Sequence, residues 1–337
     1  SILNRIATRP LDGICIFEMA SDKIIYSMNS STESTYTAIY PGEEPTADES
    51  RPMVSFGIPV RNGERFLGRA LESILAQDFD DFEVIVCDNA STDGTGKLVC
   101  DFGRRDPRVR YIRNEENIGQ IENFNRVFEL SRGEFFRWMG ADDWLEPDFA
   151  SKCVAALKAR REAIGVTTQW RYVDDQNQVD ILDVSGPRVD APTAPQRLHL
   201  VFSIFHSRKQ ILFDPIYSLI RRDALERTQM LSISRWTDRL LAVELCIQGS
   251  FCHLDQVLSA RRNSRDPRSV RLPRYHDRLR GQHREHRWML YMGYAKIVKR
   301  APLAMRQKVH CWSLIFIFWL RDEFRRRLQR MKRSVSR

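Results

Sequence analysis

Between residues 53 and 169 five apolar runs of strand length alternate with stretches whose apolar residues recur at helical spacing, and that alternation leaves few folds open. Residues 53–60 (MVSFGIPV) are rich in strand formers and end at Pro59 and the polar turn Arg61-Asn62-Gly63. Phe66, Leu67, Ala70, Leu71, Ile74 and Leu75 then follow the spacing of an amphipathic helix. Residues 82–87 (FEVIVC) are apolar almost without interruption, which predicts a strand buried on both faces. Asp93-Gly94 opens a second helix, with Asp93 as its N-cap. A third strand follows at 109–112, a third helix at 121–130 and a fourth strand at 135–139; a fourth helix starts at Pro147 and a fifth strand covers 164–169. Strands joined through helices at such short intervals require a mostly parallel sheet with helices on both faces. Ligands of such sheets bind beyond the carboxyl ends of the strands. The polar clusters Arg61-Asn62-Gly63, Asp88-Asn89-Ala90-Ser91 and Asp142-Asp143 all fall there.

The flanks read differently. Residues 1–50 are Ser/Thr-rich and then acidic with prolines, which predicts an N-terminal extension with little structure and one stray strand near Ile14 to Ile16. After residue 170 the pattern gives a helix at 196–207, a strand at 217–220, a helix at 237–248 and a strand at 251–258. From residue 275 to about 331 it is helical, broken near Pro302. The expected division is an extension at 1–50, an α/β domain at 51–262 with halves 51–170 and 171–262, and a basic helical extension at 263–337.

Charge sharpens that division. The chain of 337 residues carries +9, but residues 261–337 hold 23 Lys/Arg against 5 Asp/Glu, a net of +18 that leaves −9 on the first 260. Such asymmetry suits a C-terminal region facing an anionic surface, membrane or nucleic acid, with a solvated helix face as the alternative. Residues 311–320 (CWSLIFIFWL) are too short to span a bilayer, which takes about 20 apolar residues. Beside a basic tail they fit an interfacial helix, or else a core helix packed on the domain. A peripheral association with an anionic membrane is the expectation, and no nucleic-acid partner is expected. The seven cysteines are scattered without a CxxC pair, as buried reduced thiols would be. With no charged segment and apolar run at the start of the chain, the expected location is cytoplasmic, on the inner face of the membrane.

Two motifs carry chemistry. Residues 88–95 (DNASTDGT) leave a buried strand and enter a helix, where a carboxylate can accept hydrogen bonds from a nucleobase or ribose; an Asx-rich turn is the plainer reading. Neither GxGxxG nor GxxxxGK[ST] occurs, which disfavours dinucleotide and P-loop sites. Asp142-Asp143 places adjacent carboxylates at the mouth of the sheet, where their repulsion calls for a cation or donors; a helix cap before Pro147 is the alternative. A hard Mg²⁺ or Mn²⁺ takes one or two carboxylates and completes its shell with phosphate oxygens and water.

From about Pro52 to Arg262 the sequence resembles the family 2 glycosyltransferases. The matching pieces are residues 54–60 with 62–67, 73–77, 86–95, Asn117-Ile118-Gly119 and Ala141-Asp142-Asp143. The resemblance implies a GT-A type fold and inverting transfer from a nucleotide-diphosphate sugar, usually a UDP-sugar, to a glycan or lipid-linked acceptor. It places Pro59, Val60, Glu64, Asn117 and Gly119 near the nucleotide, Asp88 at the base, Asp142 at ribose or metal and Asp143 on Mn²⁺ or Mg²⁺. Asp238, in Trp236-Thr237-Asp238, matches the family's general base, with a helix N-cap as the other reading. Two positions depart from the family pattern: Gly140 stands where an Asp is frequent, and Arg261-Arg262-Asn263 where a His is frequent. A nucleotidyltransferase, or a non-catalytic membrane-binding descendant of a transferase, are the competing readings.

Overall fold

The computed structural model describes residues 51–173, 179–181, 188–206, 215–234, 236–262 and 287–335, together with three strands in the N-terminal extension. Those strands, β1 (Ile14–Met19), β2 (Asp22–Ser27) and β3 (Thr37–Tyr40), form an antiparallel meander. The sequence reading foresaw one stray strand here; composition hid the others, because edge strands are held by main-chain pairing that needs no apolar run. The pairing partner is β6 (Val109–Asn114), with Ala38 opposite Arg113.

Inward from that edge lie four parallel strands, in the order β6, β5 (Phe82–Asp88), β4 (Val54–Val60) and β7 (Phe135–Trp138). The chain starts at β4, steps outward through β5 to β6 and then returns to the other side of β4 at β7. The strand order therefore reverses between β4 and β7, where an open α/β sheet forms its ligand crevice. Beyond β7 come the antiparallel β11 (Leu219–Arg221), then β9 (Ala163–Val173), β12 (Ser250–Arg262) parallel to β9, and the two-residue β8 (Trp144–Leu145). The short β10 (Val179–Ile181) pairs with β9. Neither β8 nor β10 was legible in the sequence, since two or three residues carry no periodicity.

The strand β5 is buried from end to end, as its composition required. Phe82, Val84 and Val86 enter one core with helices α1 (Leu67–Leu75), α2 (Thr95–Arg105) and α4 (Phe149–Ala159). Ile85 and Cys87 enter the other, with α3 (Gln120–Glu129), α5 (Ala194–His206), α7 (Thr237–Gln248), α8 (Arg287–Arg300) and α9 (Met305–Val335). A short α6 (Arg222–Glu226) follows β11. Alternation by two along a strand divides its side chains between the layers, and each fully buried Phe adds about 1.5–3 kcal/mol over exposure. Pro302 ends α8 as expected; the expected helix start at 275 lies outside the described residues, as does Asn263. None of the six described cysteines forms a disulfide.

Candidate active site

The loops after β4 and β5 are locked to each other. The Asn89 N–H donates to the Val60 carbonyl at 2.8 Å, directly after Pro59. Asn62, in the left-handed region at φ 54°, donates its N–H to Ser91 Oγ at 2.8 Å and accepts from the Thr92 N–H at 2.9 Å. The Gly63 N–H donates to Thr95 Oγ1 at 2.8 Å, and Glu64 Oε2 accepts from the Gly94 N–H at 2.9 Å, at the positive end of α2. The N-cap of that helix is Gly94, not Asp93. Asp93 sits one residue earlier and accepts from the Thr95 N–H at 3.1 Å and the Glu64 N–H at 3.2 Å. Burial opposes its charge, but hydrogen bonds from Thr95 and Glu64 hold the carboxyl below its ordinary range.

Asp88 ends β5 with no exposed surface at all. Its Oδ1 accepts the Ser91 N–H at 2.8 Å, and its Oδ2 accepts Tyr111 Oη at 2.6 Å and Arg113 Nη1 at 3.0 Å. It lies beneath the loop as a turn-former and holds the β6 side chains Tyr111, itself buried, and Arg113. Both line a cavity of about 560 Å³ against α2, with Ser91, Lys97 and Arg104. The sequence reading missed Tyr111 and Arg113, although their two-residue spacing on β6 puts them on one face.

Four asparagines fix the segment Asn117-Ile118-Gly119. Asn117 Oδ1 accepts from Asn89 Nδ2 at 2.8 Å and from the Gly119 N–H at 3.1 Å; the Gly119 carbonyl accepts from Asn89 Nδ2 at 3.0 Å. Asn89 Oδ1 accepts the Ile118 N–H at 2.9 Å and Asn114 Nδ2 at 3.2 Å, and Asn114 also donates to Asn123 Oδ1 at 2.9 Å. Gly119 caps α3 at φ 106°, a conformation that a side chain would strain. Asn117 and Gly119 thus hold the wall of the crevice through internal bonds.

Asp142 and Asp143 follow β7 on the other side of the switch, ahead of β8. They do not cap α4, whose N-cap position is Asp148. Asp143 is buried and its Oδ1 accepts the Arg262 N–H at 3.2 Å. Burial, and then the charge of Asp142, raise its pKa to about 7 against the pull of Arg261, Arg262 and Arg137. Burial raises Asp142 as well. A carboxylate pair, one buried and one half-buried, held above its ordinary range has a deficit of positive charge, and a divalent cation would supply it. Among the described residues no group of three or more His, Cys, Asp or Glu could hold a metal. A two-carboxylate donor set therefore fits a Mg²⁺- or Mn²⁺-like ion that takes its remaining ligands from phosphate and water.

The structure also accounts for Gly140. A Cβ there would stand 2.6 Å from Asp143 Oδ2 and 3.2 Å from Asp142 Oδ1, so the space of the missing side chain is filled by the pair. Gly140→Ala is expected to displace the Asp143 carboxylate and weaken Mn²⁺-dependent UDP binding about tenfold with little change in melting temperature. Calorimetry and a thermal melt check both halves. A tenfold loss corresponds to about 1.4 kcal/mol, well within what a displaced ligand costs.

Across the crevice the 3-10 turn Pro215–Tyr217 joins the two halves. The buried Arg137 of β7 donates through Nη1 to the Tyr217 carbonyl at 2.5 Å, Arg261 stacks over the Tyr217 ring at 3.7 Å, and the turn packs against α7. Asp238 is exposed in the first turn of α7, where the N-cap position belongs to Trp236. Arg239 and Arg287 lie over the Trp236 ring at 5.3 and 5.7 Å. Phe202 is core, packed on Tyr294 and Phe318; Phe205 lies under Arg239, and His206 Nε2 meets Tyr291 Oη at 3.1 Å.

A strand-order switch rimmed by locked loops, with paired carboxylates on one side and a helix N-terminus on the other, is the GT-A class of α/β architecture. The sequence matches the profile of Glycosyl transferase family 2 over residues 55–227, and the chain belongs to that family. It is 33% identical to the chondroitin synthase of Escherichia coli over 128 residues, which are 38% of this chain and 18% of that protein. It is 24% identical to the putative glycosyltransferase EpsH of Bacillus subtilis over 233 residues, covering 68% of this chain and 61% of that one. The chain thus spans less than two thirds of the length of either relative. A crystal structure of S. aureus TarS 1-349 in complex with UDP-GlcNAc superposes with a TM-score of 0.57 at 17% identity, covering 78% of this chain and 71% of that one. At that identity the likeness is one of fold.

Proposed function

We propose that the chain transfers a sugar from a nucleotide-diphosphate donor, a UDP-sugar, to a hydroxyl of a glycan or lipid-linked acceptor, with inversion at the anomeric carbon. The observation that carries this reading is the Asp142-Asp143 pair at the β4/β7 switch, Asp143 buried and Asp142 half-buried, both raised by burial and adjoining the locked donor loops. Family membership and the UDP-GlcNAc complex of the TarS fold support it.

In this reading Pro59, Val60 and Glu64 form one lip of the donor cleft, with Asn117 and Gly119 as its wall. Asp88 sets the base end from beneath through Tyr111 and Arg113. Asp143, with Asp142 beside it or on the ribose, would hold Mn²⁺ or Mg²⁺, which when bound neutralises the charge of the departing diphosphate. Asp238 accepts the proton of the acceptor hydroxyl as its oxygen bonds to the anomeric carbon and the bond from that carbon to the diphosphate oxygen breaks. Proton, sugar and nucleoside diphosphate are then all accounted for.

A panel of nucleotide sugars, incubated with and without chelator, tests the reading. Release of nucleoside diphosphate that stops with chelator is expected. Release of pyrophosphate would identify a nucleotidyltransferase instead, and no turnover with any donor would identify a non-catalytic member of the family.

A further inference from the structure

The antiparallel pair α8 and α9 uses one side to close the core and leaves the other uncovered among the described residues. Tyr294 of α8 and Ile315 and Phe318 of α9 are buried against α5 and α7. On the opposite side of α9, Val309, Phe316, Ile317, Leu320, Phe324 and Leu328 are exposed, Phe316 by 56% and Phe324 by 64%. Phe316, Leu320, Phe324 and Leu328 recur every four residues, and Val309, seven before Phe316, and Ile317 fall on the same side of the helix. Trp288, in the first turn of α8, is also exposed, by 54%. The exposed Arg321, Arg325 and Arg327 alternate with the stripe.

Charge decides what such a face meets. The helix 305–335 itself holds nine Lys/Arg against two Asp/Glu, so a second copy would bring the same cations against it across a two-fold contact. An anionic lipid surface offsets them instead. No helix among the described residues is long and apolar enough to cross a membrane. A 31-residue helix, about 46 Å long, could instead lie along such a surface with its aromatic stripe among the headgroups.

We propose that α9 docks in the plane of an anionic lipid surface through its Phe316–Leu328 stripe and the arginines beside it. Docking reaches the catalytic half through few steps. Arg287 Nε lies 3.3 Å from the buried Asp322 of α9, and the same guanidinium stacks on Trp236 at the entrance to α7. The acceptor side thereby sits against the helix pair that meets the lipid.

Flotation of the whole chain with vesicles of phosphatidylcholine alone, or mixed with phosphatidylglycerol, tests the proposal, with donor hydrolysis in solution as a control for folding. Binding to the anionic vesicles only is expected, falling about fivefold for each arginine neutralised in Arg321→Gln and Arg327→Gln and fading with salt. The double variant Phe316→Ser/Phe324→Ser is expected to lose at least about tenfold in binding, given about 0.8 kcal/mol for each buried methylene, and to keep its hydrolysis rate. Flotation of that variant equal to the parent's overturns the proposal, as does failure of the parent to bind anionic vesicles at low salt. A parent dimer that the same two substitutions dissociate would overturn it too, by assigning the face to a second copy.

Discussion

Replacing Asp143 by Asn is expected to reduce sugar transfer by about two to three orders of magnitude. A metal acting as Lewis acid on a departing diphosphate contributes several kcal/mol, at about 1.4 kcal/mol per tenfold in rate. Calorimetry of UDP binding with and without Mn²⁺ isolates the cause: the parent binds more tightly with the ion, and Asp143→Asn loses that increment. Unchanged Mn²⁺-dependent affinity in the variant would remove Asp143 from the metal site. A second readout needs neither ion nor substrate. The folded pKa of Asp143, about 7, lies above its ordinary value because burial penalises the charge. The protonated group's contribution to stability is therefore complete below about pH 4 and is lost as pH rises through about 7, a loss on the order of a few kcal/mol. In chelator at about pH 8, Asp143→Asn is then expected to melt several degrees above the parent, and at about pH 4 to melt nearly alongside it. A variant that melts below the parent at both values would show that the carboxylate is not strained by its burial.

The first half of the sheet was legible in the sequence because its signals are local. The continuous apolar run of β5 and the helical spacing of α1 each sit inside one short window, and turn residues mark their ends. The reading gave way where a structural role depends on distant partners. Arg137 reads as a charged interruption of β7, yet it is buried and tethered to the Tyr217 carbonyl 80 residues away. Nothing local announces that pairing. Gly140 looked like a missing ligand, and only the converging oxygens of Asp142 and Asp143 explain why a side chain does not fit there.

Asp88, Asn117 and Gly119 teach a related lesson. The motif residues lie around the carboxyl ends of β5 and β6. Their polar atoms, however, are engaged with Ser91, Tyr111, Arg113 and Asn89. Spacing identifies which residues surround a crevice; it does not separate a side chain that would touch a ligand from one that shapes the loop. Tyr111 and Arg113 were overlooked for a different reason. The sequence reading ended their strand at 112, which left Arg113 outside it, and gave Tyr111 no role.

Asp238→Asn is the other substitution with a large expected effect, and it acts by a different route. An acceptor hydroxyl is a weak nucleophile at neutral pH, and a carboxylate within reach of its proton raises the rate by about 10²–10⁴. Asp238 occupies the first turn of α7, where the positive end of the helix dipole favours its ionised form. It is exposed, so an acceptor can approach it, and the turn Pro215–Tyr217 that packs on α7 also carries the contacts of Arg137 and Arg261 from the metal side. The amide keeps the shape of the side chain but cannot take a proton. A kcat lower by about 10²–10⁴ is therefore expected, with UDP affinity and its Mn²⁺ dependence unchanged. That split distinguishes the variant from Asp143→Asn, which loses binding and turnover together. Determining the anomeric configuration of the product completes the test, since a base facing the leaving group across the sugar gives inversion. Full transfer by a folded Asp238→Asn protein, or a product that retains the donor's configuration, would exclude Asp238 as the base.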